Sequence, residues 1–77
     1  MGDRIVYHSI KEGDGWVVMS EGILLSSHPT QAGSEAQVRR VCTTSRLKGV
    51  PCRALLHRSD GTVKEERLYG VVRSAAA

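Results

Sequence analysis

The chain opens with short runs of β-branched and aromatic residues separated by glycine-containing turns. Residues 4–10, Arg-Ile-Val-Tyr-His-Ser-Ile, read as a first strand. Lys11 to Gly15 reads as a turn closed by Asp14-Gly15, and Trp16 to Ser20 as a second strand. Glu21-Gly22 suits a tight hairpin, because glycine accepts positive φ without steric cost. Ile23 to Ser27 follows as a third strand, more polar at its end.

The period changes after Pro29. Val38, Val41, Cys42 and Ser45 recur at i, i+3, i+4 and i+7, which predicts an amphipathic helix over residues 34–48. Thr30 and Ser34 are both possible N-caps, and Ser34 with Gln37 fits a capping box. Arg46 and Lys48 fall in the last turn, where cations favour the helix dipole. Gly49 stands in the C′ position, and Pro51 forbids continuation. Leu47 lies opposite the apolar stripe, either folded back onto the cap or exposed.

Cys52 to Arg58 and Thr62 to Tyr69 read as the last two strands, joined through Ser59-Asp60-Gly61 by a hairpin loop of two or three residues. The pattern therefore predicts an α+β domain over residues 1–70, with a flexible tail over 71–77. Its small antiparallel sheet carries one helix packed on one face, in the order β-β-β-α-β-β. Such a sheet leaves its other face open, and a binding function would most naturally lie there.

Composition narrows the class. At 77 residues there is room for one domain, and with no phenylalanine the core rests on Val, Leu, Ile and Trp16. Trp16 reads as a core anchor; its other use would be a stacking platform for a nucleic-acid base. Cys42 and Cys52 read as reduced, packed thiols, because disulfide-stapled small domains carry more cysteines. No apolar run reaches membrane-spanning length and the N-terminus lacks a signal-peptide core, so the expectation is a soluble cytoplasmic protein with no membrane partner.

Charge is unevenly placed. Residues 1–38 hold two basic and five acidic residues, whereas residues 39–77 hold nine basic and three acidic ones. Arg39, Arg40, Arg46 and Lys48 on the helix, with Arg53, Arg58, Lys64 and Arg67 on the last hairpin, are the candidate nucleic-acid contacts. If helix and hairpin meet, they form one phosphate-binding patch with salt-dependent affinity. The competing reading is a solvated basic surface. A second function is protein binding, by a module or small inhibitor using Leu47, the open sheet face or an edge strand, or by homodimerisation.

Chemistry finds little support. His8, His28, His57, Cys42 and Cys52 form no local ligand pair, so no metal site and no cofactor is expected. Cys42 falls on the buried stripe, Glu65 and Glu66 point to opposite faces of a strand, and Gly13-Asp14-Gly15 is a turn with no phosphate-loop pattern. No catalytic residue is assigned, and the chain is read as a non-enzyme.

Gly13-Asp14-Gly15-Trp16-Val17-Val18, Glu21-Gly22, the amphipathic helix, Ser59-Asp60-Gly61-Thr62-Val63 and the closing Tyr69-Gly70 together resemble a small bacterial family, domain-of-unknown-function family 2188. The likeness covers residues 7–70. The helix departs from the family's alanine-rich, charged pattern with Gly33, Val38, Val41, Cys42, Thr43 and Thr44, which marks a divergent member. The resemblance implies a compact α+β fold and a bacterial or phage origin; it implies no activity and no functional residue.

Overall fold

The structure is a computed structural model that describes residues 4–71. Strands β1 (Ile5–Glu12), β2 (Gly15–Ser20) and β3 (Ile23–His28) precede helix α1 (Gln31–Leu47), and β4 (Cys52–His57) and β5 (Val63–Tyr69) follow it. The five strands form one sheet in the order β3-β2-β1-β4-β5. This is the expected α+β element order. Of the expected tail, residues 72–77 lie outside the described residues.

The sheet is mixed, which corrects the expectation of a wholly antiparallel one. β1 pairs β2 antiparallel, β2 pairs β3 antiparallel and β4 pairs β5 antiparallel, but β1 and β4 run parallel, with Ile5 opposite Cys52 and Tyr7 opposite Ala54. The cause is the helix. A parallel pair needs a crossover connection, and the 17 residues of α1 span one face of the sheet from the outer strand β3 to the inner strand β4.

The helix begins three residues earlier than its apolar stripe suggests. Thr30 is the N-cap, its hydroxyl accepting from Gly33 N–H at 3.0 Å. Ser34 is therefore inside the helix and caps nothing. At the other end Lys48 donates its backbone N–H to Thr44 and Ser45 carbonyls, and Gly49 follows at φ +81°. Leu47 points away from the sheet, 78% exposed.

The hairpins settle the registers. Glu21 and Gly22 both take positive φ, +52° and +79°, between paired Ser20 and Ile23. That is the sign a two-residue type I′ turn requires, and it matches the twist of the flanking strands. Arg58 N–H donates to Thr62 C=O, so the loop between them holds Ser59, Asp60 and Gly61, with Asp60 Oδ1 accepting from Thr62 N–H. Each edge strand carries one extra residue, Leu25 on β3 and Lys64 on β5, where the pairing shifts.

Val18, Val38, Cys42, Cys52, Ala54 and Leu56 make the core between helix and sheet, with Ile5, Tyr7 and Tyr69 packed against it. Trp16 is 7% exposed on the helix side of β2, opposite Lys11 and His28, so it serves as a packed residue with no face free for a base. Gly15 before it has no room for a side chain: a Cβ there would stand 2.9 Å from the His28 carbonyl oxygen. Arg4 Nη1 donates to the carbonyls of Cys52 and Tyr69, tying the start of β1 to both strands of the last hairpin.

One polar contact crosses the core. Ser34 Oγ donates to Gln31 C=O at 2.9 Å and lies 2.5 Å from Ser9 Oγ. A carbonyl only accepts, so Ser34 spends its proton on Gln31 and the Ser9 hydroxyl donates to Ser34. Ser34→Ala then strands the buried Ser9 hydroxyl and should cost about 1–3 kcal/mol. Ser9→Ala should cost less, because Ser34 keeps its bond to Gln31; urea unfolding of the two variants ranks them. Glu21→Asn, relieving a non-glycine residue at positive φ, should raise stability by about 0.5–1 kcal/mol in the same assay.

Candidate functional site

Strand alternation divides the sheet into two chemically distinct faces. Ser9, Val18, Cys52, Ala54 and Leu56 face the helix. Val6, His8 and Ile10 of β1, Val17 and Met19 of β2, and Arg53, Leu55 and His57 of β4 face the other way. One row crosses all five strands on that open face: Leu24, Met19, His8, Leu55, Glu66. Among the described residues no helix or strand covers it. On this face Val17 is only 4% exposed and Val6, His8, Ile10, Met19 and Leu55 are half-buried, while Leu24 toward the β3 edge is 53% exposed.

The two edges differ. β5 carries Lys64, Glu65, Glu66 and Arg67, charges that discourage pairing with another chain. β3, Ile-Leu-Leu-Ser-Ser-His, has no Asp, Glu, Lys or Arg, and Ile23, Leu24 and Leu25 are all exposed.

Of the eight basic candidates Arg53 lies on the open face and Arg58 at the last hairpin turn, whereas Arg39, Arg40, Arg46 and Lys48 lie on the helix and its C-cap and Lys64 and Arg67 on the helix side of β5. Lys64 Nζ lies 2.9 Å from a carboxylate oxygen of Glu35, whose side chain is almost wholly buried. Arg39 stands 4.0 Å from both Glu35 and Glu65. Arg53 pairs with Glu66 at 3.1 Å on the open face, away from the helix. Arg58 turns into its own hairpin, donating to Thr62 Oγ1 and to Val63 C=O. Arg40, Arg46, Lys48 and Arg67 make no ion pair among the described residues. Arg46 lines a small cleft of about 210 Å³ with Gly49, Pro51, Gly70 and Val71 at the helix C-terminus. That end carries the negative pole of the dipole, which offsets the cations there.

Two features escaped the sequence reading. Glu35 is buried between α1 and β5; its place three and seven residues before Val38 and Cys42 put it on the apolar stripe, a signal that was available. The second is a histidine pair on the open face. His8 Nδ1 and His57 Nε2 lie 3.1 Å apart, and His57 Nδ1 lies 3.1 Å from Gly61 C=O. The carbonyl fixes the tautomer: His57 carries its proton on Nδ1, its Nε2 accepts, and His8 Nδ1 donates to it. Nothing local announces a pair 49 residues apart. Burial, and then the neighbouring His57, hold the His8 pKa below its ordinary 6.5.

Neither thiol is poised for chemistry. Cys42 and Cys52 are both free and fully buried, and burial, reinforced by Cys52, pushes the Cys42 pKa up to about 12. A nucleophilic cysteine needs the opposite shift. No group of three or more His, Cys, Asp or Glu side chains gathers as a metal-ligand set among the described residues. No helix among them is long and apolar enough to cross a membrane. No family model, curated protein or solved structure matches the chain, so no relative bears on this face or on the likeness to family 2188.

These shifts set the pH limits of stability. The Cys42 pKa rises on folding, so its contribution is complete below pH 9 and is lost as pH climbs from 9 toward 12, by up to about 1.4 kcal/mol per unit. The His8 pKa falls on folding, so its contribution is present above 6.5 and is lost as pH drops below that value. Urea midpoints across pH should decline on both sides, and Cys42→Ala should flatten the alkaline limb while His8→Gln flattens the acid one.

Proposed function

We propose that this chain is a non-enzymatic protein-binding module whose docking surface is the open sheet face, continued onto the uncharged edge of β3. The observation that supports this most is the five-strand row from Leu24 through Met19, His8 and Leu55, apolar apart from His8 until it reaches Glu66 at the far edge. Parallel pairs such as β1 and β4 are ordinarily covered on both faces; here the helix covers one.

A second copy of the chain suits the face. Arg53 and Glu66 in it neutralise each other, and its one other carboxylate on β1, Glu12, stands at the exposed strand end away from the apolar row. Arg39 and Arg40 lie on the helix, on the outside of such a pair. A face five strands wide and five or six residues long spans roughly 400–500 Å². That is about half of what each partner buries in a standard interface, so the association is reversible.

Nucleic-acid binding through Arg40, Arg46, Lys48 and Arg67 is the lesser reading, since Arg39, Arg53 and Lys64 are spent on carboxylates. The buried thiols fit a reducing compartment and support a cytoplasmic setting. Kinship with family 2188, and with it a bacterial or phage origin, is a proposal resting on the Gly15-Trp16, Asp60-Gly61 and Tyr69-Gly70 marks.

Sedimentation equilibrium from micromolar to millimolar chain tests the reading. The mean mass should rise with concentration, little affected by salt, and Met19→Lys or Leu24→Lys should hold the chain monomeric. A monomeric mass throughout overturns the homodimer. Fluorescence-anisotropy binding to labelled DNA or RNA that weakens steeply with salt, and is lost in the Arg40→Glu, Arg46→Glu double variant, would move the function to nucleic acid.

A further inference from the structure

Two imidazole nitrogens do not face each other at 3.1 Å with a lone pair on each; a positive centre has to lie between them. In the His8–His57 pair one proton, on His8 Nδ1, meets that need. A metal ion seated to one side of the line between the nitrogens can replace that proton. With metal–nitrogen distances of about 2.0–2.1 Å, two imidazoles bound to one tetrahedral ion stand roughly 3.3–3.4 Å apart. At 3.1 Å the pair stands within a few tenths of an ångström of that separation, so a slight parting of the rings brings both nitrogens onto a single ion.

We propose that His8 and His57 form a site for a divalent transition ion of the zinc, nickel or copper class, held through His8 Nδ1 and His57 Nε2 with the remaining positions taken by water.

The surroundings support this independently of the bite distance. His57 gives its other ring N–H to the Gly61 carbonyl at 3.1 Å, the outer contact that orients metal-binding histidines and fixes the ligating nitrogen. The Gly61 end is itself held, because Gly61 N–H donates to Arg58 C=O across the turn. Gln31 Nε2 reaches the His57 carbonyl from the helix. Both rings are partly exposed on the face that no described element covers, so in the monomer an ion and its waters have access.

The charges nearby do not oppose it. Met19 and Leu55 flank His8 on either strand, and beyond them Glu66 and Arg53 are paired with each other. Arg58 is turned into the hairpin by its bonds to Thr62 and Val63. Nitrogen ligands without carboxylates favour zinc, nickel and copper over magnesium and calcium. With only two protein ligands the site binds more weakly than a closed four-ligand zinc centre.

Proton balance gives the site a pH dependence. Where both rings are neutral, binding moves the His8 proton from Nδ1 to Nε2 and releases none. Where a ring is protonated, that proton must leave before the ion binds, so acid weakens binding.

The test is an NMR titration of the full chain with zinc chloride, following the imidazole signals of all three histidines at about pH 7.5 and again at about pH 5.5. The expected result is saturation at one ion per chain, with His8 and His57 shifting together and His28 unmoved. His8→Gln should lower the affinity at least about tenfold, and the lower pH should weaken it further. A zinc-dependent rise in the Tm of the unaltered chain, absent with magnesium, gives a readout that needs no variant. No saturable shift, equal shifts at His28, or wild-type affinity in a folded His8→Gln would overturn the site.

Discussion

The crossover by a single helix governs the rest of this structure. α1 must carry the chain from β3 at one edge of the sheet to β4 beside β1, and it can do so across one face only. That route makes the β1–β4 pair parallel and places both strands in the middle of the sheet. It also commits the core residues to one side. The other side is left with a row of apolar residues and no secondary structure over it among the described residues, a direct consequence of having one helix for five strands.

The small core is supplemented by polar contacts that bind helix to sheet. Ser9 and Ser34 meet within it, and the Glu35 carboxylate holds Lys64 at the bulge of β5. Removing one partner of a buried ion pair costs more than the pair contributes, because the remaining charge is left without compensation. These contacts also occupy half of the basic candidates of the second half. Lys64 and Arg39 answer Glu35 from within the domain, Arg53 answers Glu66 on the opposite face, and Arg58 braces its own turn. The positive charge left without an ion pair among the described residues, Arg40, Arg46, Lys48 and Arg67, lies on the helix, its C-cap and the helix side of β5.

The fold was legible where the information was local. The five strands and the helix, the hairpin at Glu21-Gly22 and the helix end at Gly49 all follow from residue types and spacings within a few positions. The helix start was misplaced because Ser34 and Gln37 mimic a capping box, whereas Thr30 holds the cap; Ser34 is needed in the core for Ser9. The parallel β1–β4 pairing was not legible, since no local pattern says beside which strand β4 will insert. The same limit hid the His8–His57 pair, which exists only because that insertion brings residues 49 apart side by side. The open face itself was expected in outline, but its composition could be read only once the registers were fixed.

The central claim is that the open sheet face is the surface through which two copies of this chain meet. Methyl NMR across a dilution series tests it most directly, because each side chain reports separately. The account predicts concentration-dependent shifts confined to Val6, Ile10, Val17, Met19, Leu24 and Leu55, with Val38 in the core and Leu47 on the outer side of the helix unmoved. Shifts centred on Leu47, or an absence of shifts on the sheet face at any concentration, would contradict it.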